Sequence, residues 1–195
     1  MKMEKENIGL YFGSFNPIHI GHLILASYIL QNSDLDKIWF VVSAQNPLKK
    51  QKTLADNNTR FHLVQLAVEN NDNFYACNIE FSLYTPSYTI NTLKHLKEKY
   101  PNKIFSIIMG QDNLCTFDKW KSYKEILSKY NIYVYPRENC KPSKFEKNKN
   151  VYFVDAPLIN ISATYIRNQI SKGQSVQYLV PEAVQDEIER SSLYR

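Results

Sequence analysis

The sequence IGLYFGSFNPIHIGH occupies residues 8–22 and indicates how the chain begins to fold. Residues 8–12 form a short apolar run that ends at Gly13, which is typical of a buried β-strand followed by a turn. The apolar positions between Leu23 and Leu30 then give a helical surface. The pattern therefore predicts a strand, a loop and a helix in succession.

The same alternation of apolar strands and helical segments continues to residue 192. Strands are predicted at 37–43, 74–81, 104–109, 132–135 and 151–154, and helices at 58–69, 89–100, 122–130, 163–171 and 181–192. Because the strands are continuously apolar, both faces of the sheet are expected to be covered. The sequence therefore predicts an α/β fold, a Rossmann-like, doubly wound parallel sheet with helices on both faces and a C-terminal helical segment, with residues 1–195 forming a single domain.

Composition excludes several classes of protein. The 195 residues are 44% hydrophobic and 22% charged, which is typical of a globular chain and not of a disordered, collagenous or membrane-spanning one. Three cysteines without a CxxC pair, and no apolar N-terminal run resembling a signal peptide, favour a reduced, cytoplasmic protein. A formal net charge of +5 suits an anionic ligand but is too small to require nucleic acid, so no nucleic-acid or membrane partner is expected. The oligomeric state stays open.

Glycine is scarce, so its positions are informative. Three of the five glycines, Gly13, Gly21 and Gly110, lie just beyond two of the predicted strand ends. In a doubly wound sheet, ligands bind outside the carboxyl ends of the strands at the point where the winding reverses. The sequence contains neither GxGxxG nor GxxxxGK[ST], so a different phosphate-binding arrangement is needed.

Two of the four histidines, His19 and His22, lie three residues apart at the start of the first predicted helix. Residues with this spacing share one helical face, and the N-terminus of a helix favours an anion. Two imidazoles there could donate hydrogen bonds to phosphate oxygens, and Gly21 would let the backbone come close. A metal site is not expected, because no nearby Cys, Asp or Glu supplies a third ligand at a useful spacing.

Four segments resemble a known family. GSFNPIHIGH at 13–22 resembles the HxGH motif of the nucleotidyltransferase superfamily, ISATYIR at 161–167 resembles its ISSTxIR motif, and IMGQDNL at 108–114 resembles its GxDxL segment. PSYT at 86–89, together with Trp120, is similar to the bacterial nicotinate-nucleotide adenylyltransferases. The resemblance covers essentially the whole chain, in the expected order. It implies transfer of AMP from ATP to nicotinate mononucleotide, which yields nicotinate adenine dinucleotide and pyrophosphate in NAD biosynthesis.

The resemblance also implies roles for individual residues. His19, His22 and Arg167 would be catalytic. ATP would be bound by Gly13, Ser14, Phe15, Gly21, Gly110, Asp112, Ser162 and Thr164, and nicotinate mononucleotide by Asn16, Lys49, Tyr88, Thr89 and Trp120. Mg²⁺ would be held mainly through the ATP phosphates, without a metal site on the protein. The chain departs from the family pattern at Ala163, where a second serine is common, and at Leu48, where many relatives have histidine.

Structural alternatives remain for several of these residues. Ser162 and Asp112 would each also serve as a helix N-cap, and Trp120 could be an ordinary core residue. Among functions, the sequence leaves open a related nucleotidyltransferase that uses pantetheine phosphate, nicotinamide mononucleotide or, with CTP, an alcohol phosphate. A noncatalytic nucleotide sensor, or a nucleic-acid binder using the lysines of 49–52 and 141–149, would be a different class of protein.

Overall fold

A computed structural model describes residues 5–44 and 54–195, and its centre is a parallel sheet of six strands. The strands are β1 (Glu6–Gly13), β2 (Lys37–Val42), β3 (Phe74–Cys77), β4 (Lys103–Gly110), β5 (Ile132–Tyr135) and β6 (Val151–Phe153). Their order across the sheet is β3-β2-β1-β4-β5-β6, and every neighbouring pair is parallel. The predicted doubly wound α/β fold is therefore confirmed.

Helices cover both faces of the sheet. They are α1 (Ile20–Gln31), α2 (Asn57–Val68), α3 (Thr89–Lys99), α4 (Gln111–Cys115), α5 (Tyr123–Lys129), α6 (Ala163–Ile170) and α7 (Glu182–Arg190). Buried residues of α1, α2, α6 and α7 pack in one apolar cluster, and those of α3, α4 and α5 pack in the other. Within 5–44 and 54–195, no helix is long and apolar enough to cross a bilayer.

Alternation along the strands explains why the sheet has two apolar faces. In β2, Ile38 and Phe40 lie in the first cluster, whereas Trp39 and Val41 lie in the second. Successive side chains of a strand point to opposite faces, so a continuously apolar strand needs a covering layer on each side. The run KIWFVV therefore specifies a central strand.

The structure differs from the sequence prediction in two places. The strand expected at 74–81 ends at Cys77, and a 3₁₀ helix follows at Ile79–Ser82, which lets Glu80 turn inward to accept hydrogen bonds from Ser87 and Thr92. A helix after β4 was expected only in the alternative in which Asp112 caps it, and the structure has it as α4; the 3₁₀ helix Phe117–Lys119 was not predicted. Both lie in a segment whose apolar residues are too widely spaced to give a clear period.

The winding of the sheet reverses between β1 and β4. The chain runs from β1 outward through β2 to β3, and then returns to the other side of β1 to form β4. Both strands end in glycine, at Gly13 and Gly110. The carboxyl ends of these two strands therefore form the edges of a crevice, which is where doubly wound sheets bind their ligands.

Candidate active site

His19 and His22 form a stacked pair at the start of α1. Their ring centroids are 3.7 Å apart, with 25° between the ring planes. His19 is the N-cap residue, and its backbone N–H donates to Nδ1 of His22 at 3.2 Å. Because Nδ1 of His22 is the acceptor in this bond, the neutral ring carries its proton on Nε2. His22 therefore caps the helix with one nitrogen and has a hydrogen-bond donor at the other.

His19 is the more buried member of the pair, with 6% of its surface exposed. Burial, reinforced by the positive charge of Arg137, lowers the pKa of His19 from 6.5 to about 4. Its Nδ1 atom is buried and has no hydrogen-bond partner within the described ranges 5–44 and 54–195. A negatively charged ligand would offset the effect of Arg137 and would favour protonation of His19.

Gly21 lies between the two histidines, where space is tight. A Cβ atom at this position would come within 2.9 Å of Cγ2 of Ile159 and 3.1 Å of Nδ1 of His19. The glycine therefore allows the segment that precedes α6 to pack against α1. This packing role was not expected from the sequence, which predicted close approach of the backbone to ATP.

The loop between β1 and α1 supports the histidine pair. Phe15 has a positive φ of 43° and a buried side chain, whose ring lies 5.0 Å from that of His22. A Cβ at Gly13 would come within 2.7 Å of the Phe15 ring. Gly13 and Phe15 were both predicted to bind ATP. In the structure, Gly13 leaves room for the Phe15 ring, and that ring packs against His22. Because the Phe15 ring is in the core, only its backbone is available to a ligand.

Arg60 holds this loop in place, and the sequence analysis did not identify it. The residue is 0% exposed, and it donates to the backbone oxygens of Ser14 (2.6 Å), Ser43 (2.9 Å) and Ala55 (2.9 Å). It therefore ties together the segments that follow β1 and β2. The available signal was its position within α2, one turn before Leu63 and Val64 on the buried face of the helix.

Helix α6 brings Arg167 to the same loop. Nη1 of Arg167 donates to the backbone oxygen of Asn16 at 2.8 Å, and Nη2 donates to Oγ1 of Thr164 at 3.3 Å. Ser162 is the N-cap of α6, and its Oγ accepts from the N–H of Tyr165 at 3.2 Å. The capping alternative for Ser162 is therefore confirmed. The exposed side chains of Ser162 and Thr164 lie at the start of a helix, where phosphate groups bind well.

At the end of β4, Asp112 lies in the first turn of α4, and the N-cap of that helix is Gly110. The alternative that Asp112 caps the helix is therefore wrong. A side chain at Gly110 would collide with the Asp112 carboxylate, so the glycine lets this exposed carboxylate fold back over the strand end. Oδ1 of Asp112 lies 3.8 Å from Nε of Arg137.

Arg137 is a cation of the crevice that the sequence analysis missed. Its guanidinium lies over the ring of Tyr135, 5.1 Å from the centroid, and Nη2 donates to the Tyr135 hydroxyl at 3.4 Å. The side chain comes two residues after β5, so it is carried to the same edge of the sheet as Gly13 and Gly110. That position at a strand end was the signal that could have identified it.

A cavity of about 340 Å³ opens at the crevice. Tyr88, Thr89 and Trp120, which the sequence assigns to one pocket, all line it, and so do Gly13 and Ser14. Trp120 is half-buried, with its ring 5.3 Å from that of Phe117, so it is both packed and accessible. Nζ of Lys121 lies over the Tyr88 ring, 4.5 Å from the centroid.

Glu80 fixes one wall of this cavity and was not predicted. It is buried, and its carboxylate accepts from Oγ of Ser87 at 2.6 Å and from Oγ1 of Thr92 at 2.9 Å. Burial raises the pKa of Glu80, and these two hydrogen bonds act in the opposite direction. The carboxylate thereby holds Tyr88 and Thr89 at the start of α3. A single acidic residue within the apolar stretch CNIEFSL was the available signal.

Asn16 has a different setting from the other residues predicted to bind the mononucleotide. It is buried, and its Oδ1 accepts from the hydroxyl of Tyr194 at 2.9 Å and from the N–H of Ala55 at 3.2 Å. Lys49 falls within 45–53, outside the described residues. Its contact with the mononucleotide phosphate stays a prediction, as do the ligand contacts of the other residues.

The sequence is similar to that of known proteins over almost its full length. Residues 10–169 match the family described as cytidylyltransferase-like. A protein of Flavobacterium johnsoniae, described as "Probable nicotinate-nucleotide adenylyltransferase", is 48% identical over 190 residues, which are 96% of this chain and 98% of that one. A protein of Cytophaga hutchinsonii with the same description is 49% identical over 179 residues, covering 92% of this chain and 93% of the relative.

The fold is also similar to that of solved structures. The structure of Plasmodium falciparum nicotinic acid mononucleotide adenylyltransferase complexed with NaAD superposes with a TM-score of 0.80 and 22% identity, covering 97% of each chain. A second structure of that Plasmodium protein, complexed with APC, gives a TM-score of 0.76 at 22% identity. At this level of identity the superposition establishes the fold.

Proposed function

The chain belongs to the cytidylyltransferase-like family and, within it, to the nicotinate-nucleotide adenylyltransferases, and on this premise we propose that it transfers AMP from ATP to nicotinate mononucleotide in NAD biosynthesis. The products are nicotinate adenine dinucleotide and pyrophosphate. The observation that carries the proposal is the stacked pair His19 and His22, which lies at the crevice beside the cavity formed by Tyr88, Thr89 and Trp120.

The reaction needs no nucleophile from the protein. A phosphate oxygen of nicotinate mononucleotide attacks the α-phosphorus of ATP, a new P–O bond forms, and the bond to the departing pyrophosphate breaks. Catalysis then consists of holding two anionic groups in line and stabilising the negative charge that shifts onto the leaving group. The crevice provides imidazole, guanidinium and helix N-terminal N–H groups for this purpose.

On the nucleotide side, Nε2–H of His22 would donate to an oxygen of the transferring phosphate. The triphosphate would raise the lowered pKa of His19, because a nearby anion favours the imidazolium form. Arg167 and Thr164 lie on α6, Ser162 is its N-cap, and the three side chains would hold the leaving pyrophosphate. Asp112 would accept hydrogen bonds from ribose hydroxyls, since its carboxylate is exposed beside Gly110.

Mg²⁺ would arrive as part of the MgATP substrate. Within the described part of the chain, no three His, Cys, Asp or Glu side chains are placed together to hold a metal ion. Mg²⁺ commonly keeps several waters and binds substrate phosphates, so the ATP phosphates would hold the ion. Its positive charge would reduce repulsion between the two anionic substrates.

On the acceptor side, the nicotinate ring would stack on Trp120, because flat aromatic systems favour offset stacking. The nicotinate carboxylate would lie near the N-terminus of α3 and Lys121. A neutral nicotinamide would gain less from these positive groups. This difference supports the acid as substrate and makes the preference measurable.

A cytoplasmic location fits this substrate pair and the cysteines. Cys77, Cys115 and Cys140 are free thiols. We propose that the enzyme acts there on free nucleotides, with neither nucleic acid nor membrane as partner.

Pyrophosphate release with MgATP tests the proposed reaction. Nicotinate mononucleotide, nicotinamide mononucleotide and pantetheine phosphate would be compared as acceptors at matched concentrations, with CTP replacing ATP in a parallel series. We expect release that depends on ATP and nicotinate mononucleotide, with formation of the dinucleotide. Release with another acceptor alone would overturn the assignment of the cavity. No release with any acceptor would favour a noncatalytic nucleotide sensor.

A further inference from the structure

We propose that Tyr194 is a positioning residue for the reaction. Its hydroxyl holds Asn16, and Asn16 connects the loop of residues 14–19, called the histidine loop below, to Arg167. The proposal rests on the proposed adenylyl transfer for its kinetic readout. It concerns a residue beyond α7, more than 20 residues after the last motif that the sequence analysis used.

Asn16 joins four parts of the chain. Its Oδ1 atom accepts from the Tyr194 hydroxyl at 2.9 Å and from the N–H of Ala55 at 3.2 Å. Its backbone oxygen accepts from Nη1 of Arg167 at 2.8 Å. The residue lies three positions before His19, so a shift of Asn16 would move the histidine loop and the guanidinium of Arg167 relative to each other.

The hydroxyl of Tyr194 is placed for this task by its surroundings. The ring packs against the apolar cluster that contains α1, α2, α6 and α7. Burial raises the pKa of Tyr194, although the charges of Arg167 and Arg60 act in the opposite direction. The phenol therefore stays protonated at neutral pH and acts as a hydrogen-bond donor to Asn16.

Arg60 also stabilises the segments around Asn16. It donates to the backbone oxygens of Ser14, two residues before Asn16, and of Ala55, whose N–H donates to Asn16. These segments are thus held by backbone contacts that no side-chain substitution at 194 removes. The Tyr194 hydroxyl is the contact that can be deleted alone, which makes the proposal testable without dismantling the loop.

Phosphoryl transfer is sensitive to small displacements of positioned groups, because the attacking and leaving oxygens must be in line. Loss of the hydroxyl would leave Oδ1 of Asn16 with one fewer donor in a buried site. We therefore expect Tyr194→Phe to affect the rate of the bound complex more than substrate binding.

The experiment compares Tyr194→Phe with the wild type. We expect kcat to fall about three- to tenfold and the melting temperature to fall by about 2–4 °C, from the loss of one buried hydrogen bond, while KM for ATP stays nearly unchanged. Tyr152→Phe is the matched control, because Tyr152 is exposed on the edge strand β6 and should show no change. Equal kcat for Tyr194→Phe and wild type would overturn the proposal.

A double-mutant cycle separates positioning from packing. If Tyr194 acts through Asn16, Tyr194→Phe should have almost no further effect on kcat in an Asn16→Ala background. Fully additive losses would show that Tyr194 acts elsewhere and would overturn the proposal.

Hydrogen exchange provides a readout that does not depend on the acceptor. Amide exchange of residues 14–19, followed by mass spectrometry, should become about tenfold faster in Tyr194→Phe, because the loop loses one of its anchors. Unchanged exchange would overturn the positioning role even if the wild type is inactive with nicotinate mononucleotide. Inactivity of the wild type combined with faster exchange would overturn the proposed function and keep Tyr194 as the anchor of the loop.

Discussion

The two sides of the crevice are built differently. Around the histidine pair, Asn16, His19 and Arg60 are buried and held by backbone and side-chain hydrogen bonds. On the acceptor side, Trp120 is half-buried and Lys121 is exposed. The residues around the histidine pair are therefore fixed before substrate binds, whereas the cavity that contains Trp120 stays open to it. Rigid catalytic groups and an accessible selective pocket are separate requirements, and here separate segments meet them.

The substitution with the largest expected effect on turnover is His22→Asn, which tests the histidine pair. The Asn side chain retains an oxygen near the position of Nδ1, so it can still accept from the N–H of His19, but it lacks the donor at Nε2. We expect kcat to fall about a hundredfold to a thousandfold, the usual cost of removing one donor that stabilises transition-state charge. The melting temperature should change little, because the helix cap is kept. Turnover assays and thermal unfolding measure the two effects.

His62→Asn is the matched control, because His62 is exposed on α2. It should behave as wild type in both assays. If His22→Asn kept full turnover, the histidine pair would not be the catalytic centre, and the nucleotide side would be rigid for structural reasons alone.

The acceptor side is tested by Trp120→Ala. Loss of one stacking surface for a flat ring costs about 1–3 kcal/mol, so KM for nicotinate mononucleotide should rise about tenfold to a hundredfold. KM for ATP should stay the same, because Trp120 belongs to the other side of the crevice. Trp120→Phe, which keeps a smaller aromatic ring, should give an intermediate value. An equal rise of both KM values would mean that the two sides are not independent.

The pH dependence of folding sharpens the description of the nucleotide side. The pKa of His19 is about 4 in the folded chain and 6.5 for an ordinary histidine, so between these values the unfolded chain binds more protons. The stability that His19 contributes is therefore complete above about pH 6.5 and falls as the pH decreases toward 4. Between pH 7.5 and 5 the expected loss is about 2 kcal/mol.

Chemical denaturation of wild type and His19→Asn at both pH values measures this loss. The variant lacks the titrating ring, so its stability should fall less on acidification. Parallel losses in the two proteins would show that His19 is not protected from protonation by burial.

The smallest expected effect concerns Lys121, whose charge lies over the Tyr88 ring at the mouth of the acceptor cavity. An exposed cation contributes on the order of 0.5–1 kcal/mol there, so Lys121→Met should raise KM for nicotinate mononucleotide about threefold. Nicotinamide mononucleotide, which lacks the carboxylate, should be affected less. Lys124→Met, on the exposed surface of α5, is the control. An equal change of KM for both mononucleotides would show that Lys121 does not distinguish between the acceptors.

The fold could be predicted from sequence because its signals are local. Apolar runs such as KIWFVV identify strands, and the alternation with helices leaves few arrangements other than a doubly wound parallel sheet. The segment 74–81 was assigned wrongly because Glu80 is turned inward by hydrogen bonds to Ser87 and Thr92. Those partners lie 7 and 12 residues further along the chain, beyond the segment itself, so its apolar pattern does not indicate them.

The residues of the candidate site also differ in how far local sequence identifies them. Residues that stand in motifs, such as His22 and Trp120, could be identified from their segments. Arg60 and Arg137 carried only positional signals, on the buried face of α2 and just after a strand end, and Tyr194 carried none, because their contacts depend on how distant segments pack. A buried arginine that donates to backbone oxygens has no sequence partner to mark it, since any residue can supply a carbonyl group.

The contact between Asn16 and Tyr194 also bears on the order of events during folding. The hydrogen bond joins residues that are 178 positions apart, whereas β1 and β2 pair over a much shorter stretch of chain. Contacts that close long loops carry a larger entropic cost and tend to form late. During renaturation the sheet should therefore re-form before full enzymatic turnover returns. A lag between recovery of the circular dichroism signal and recovery of activity would show that the segment containing Tyr194 packs last.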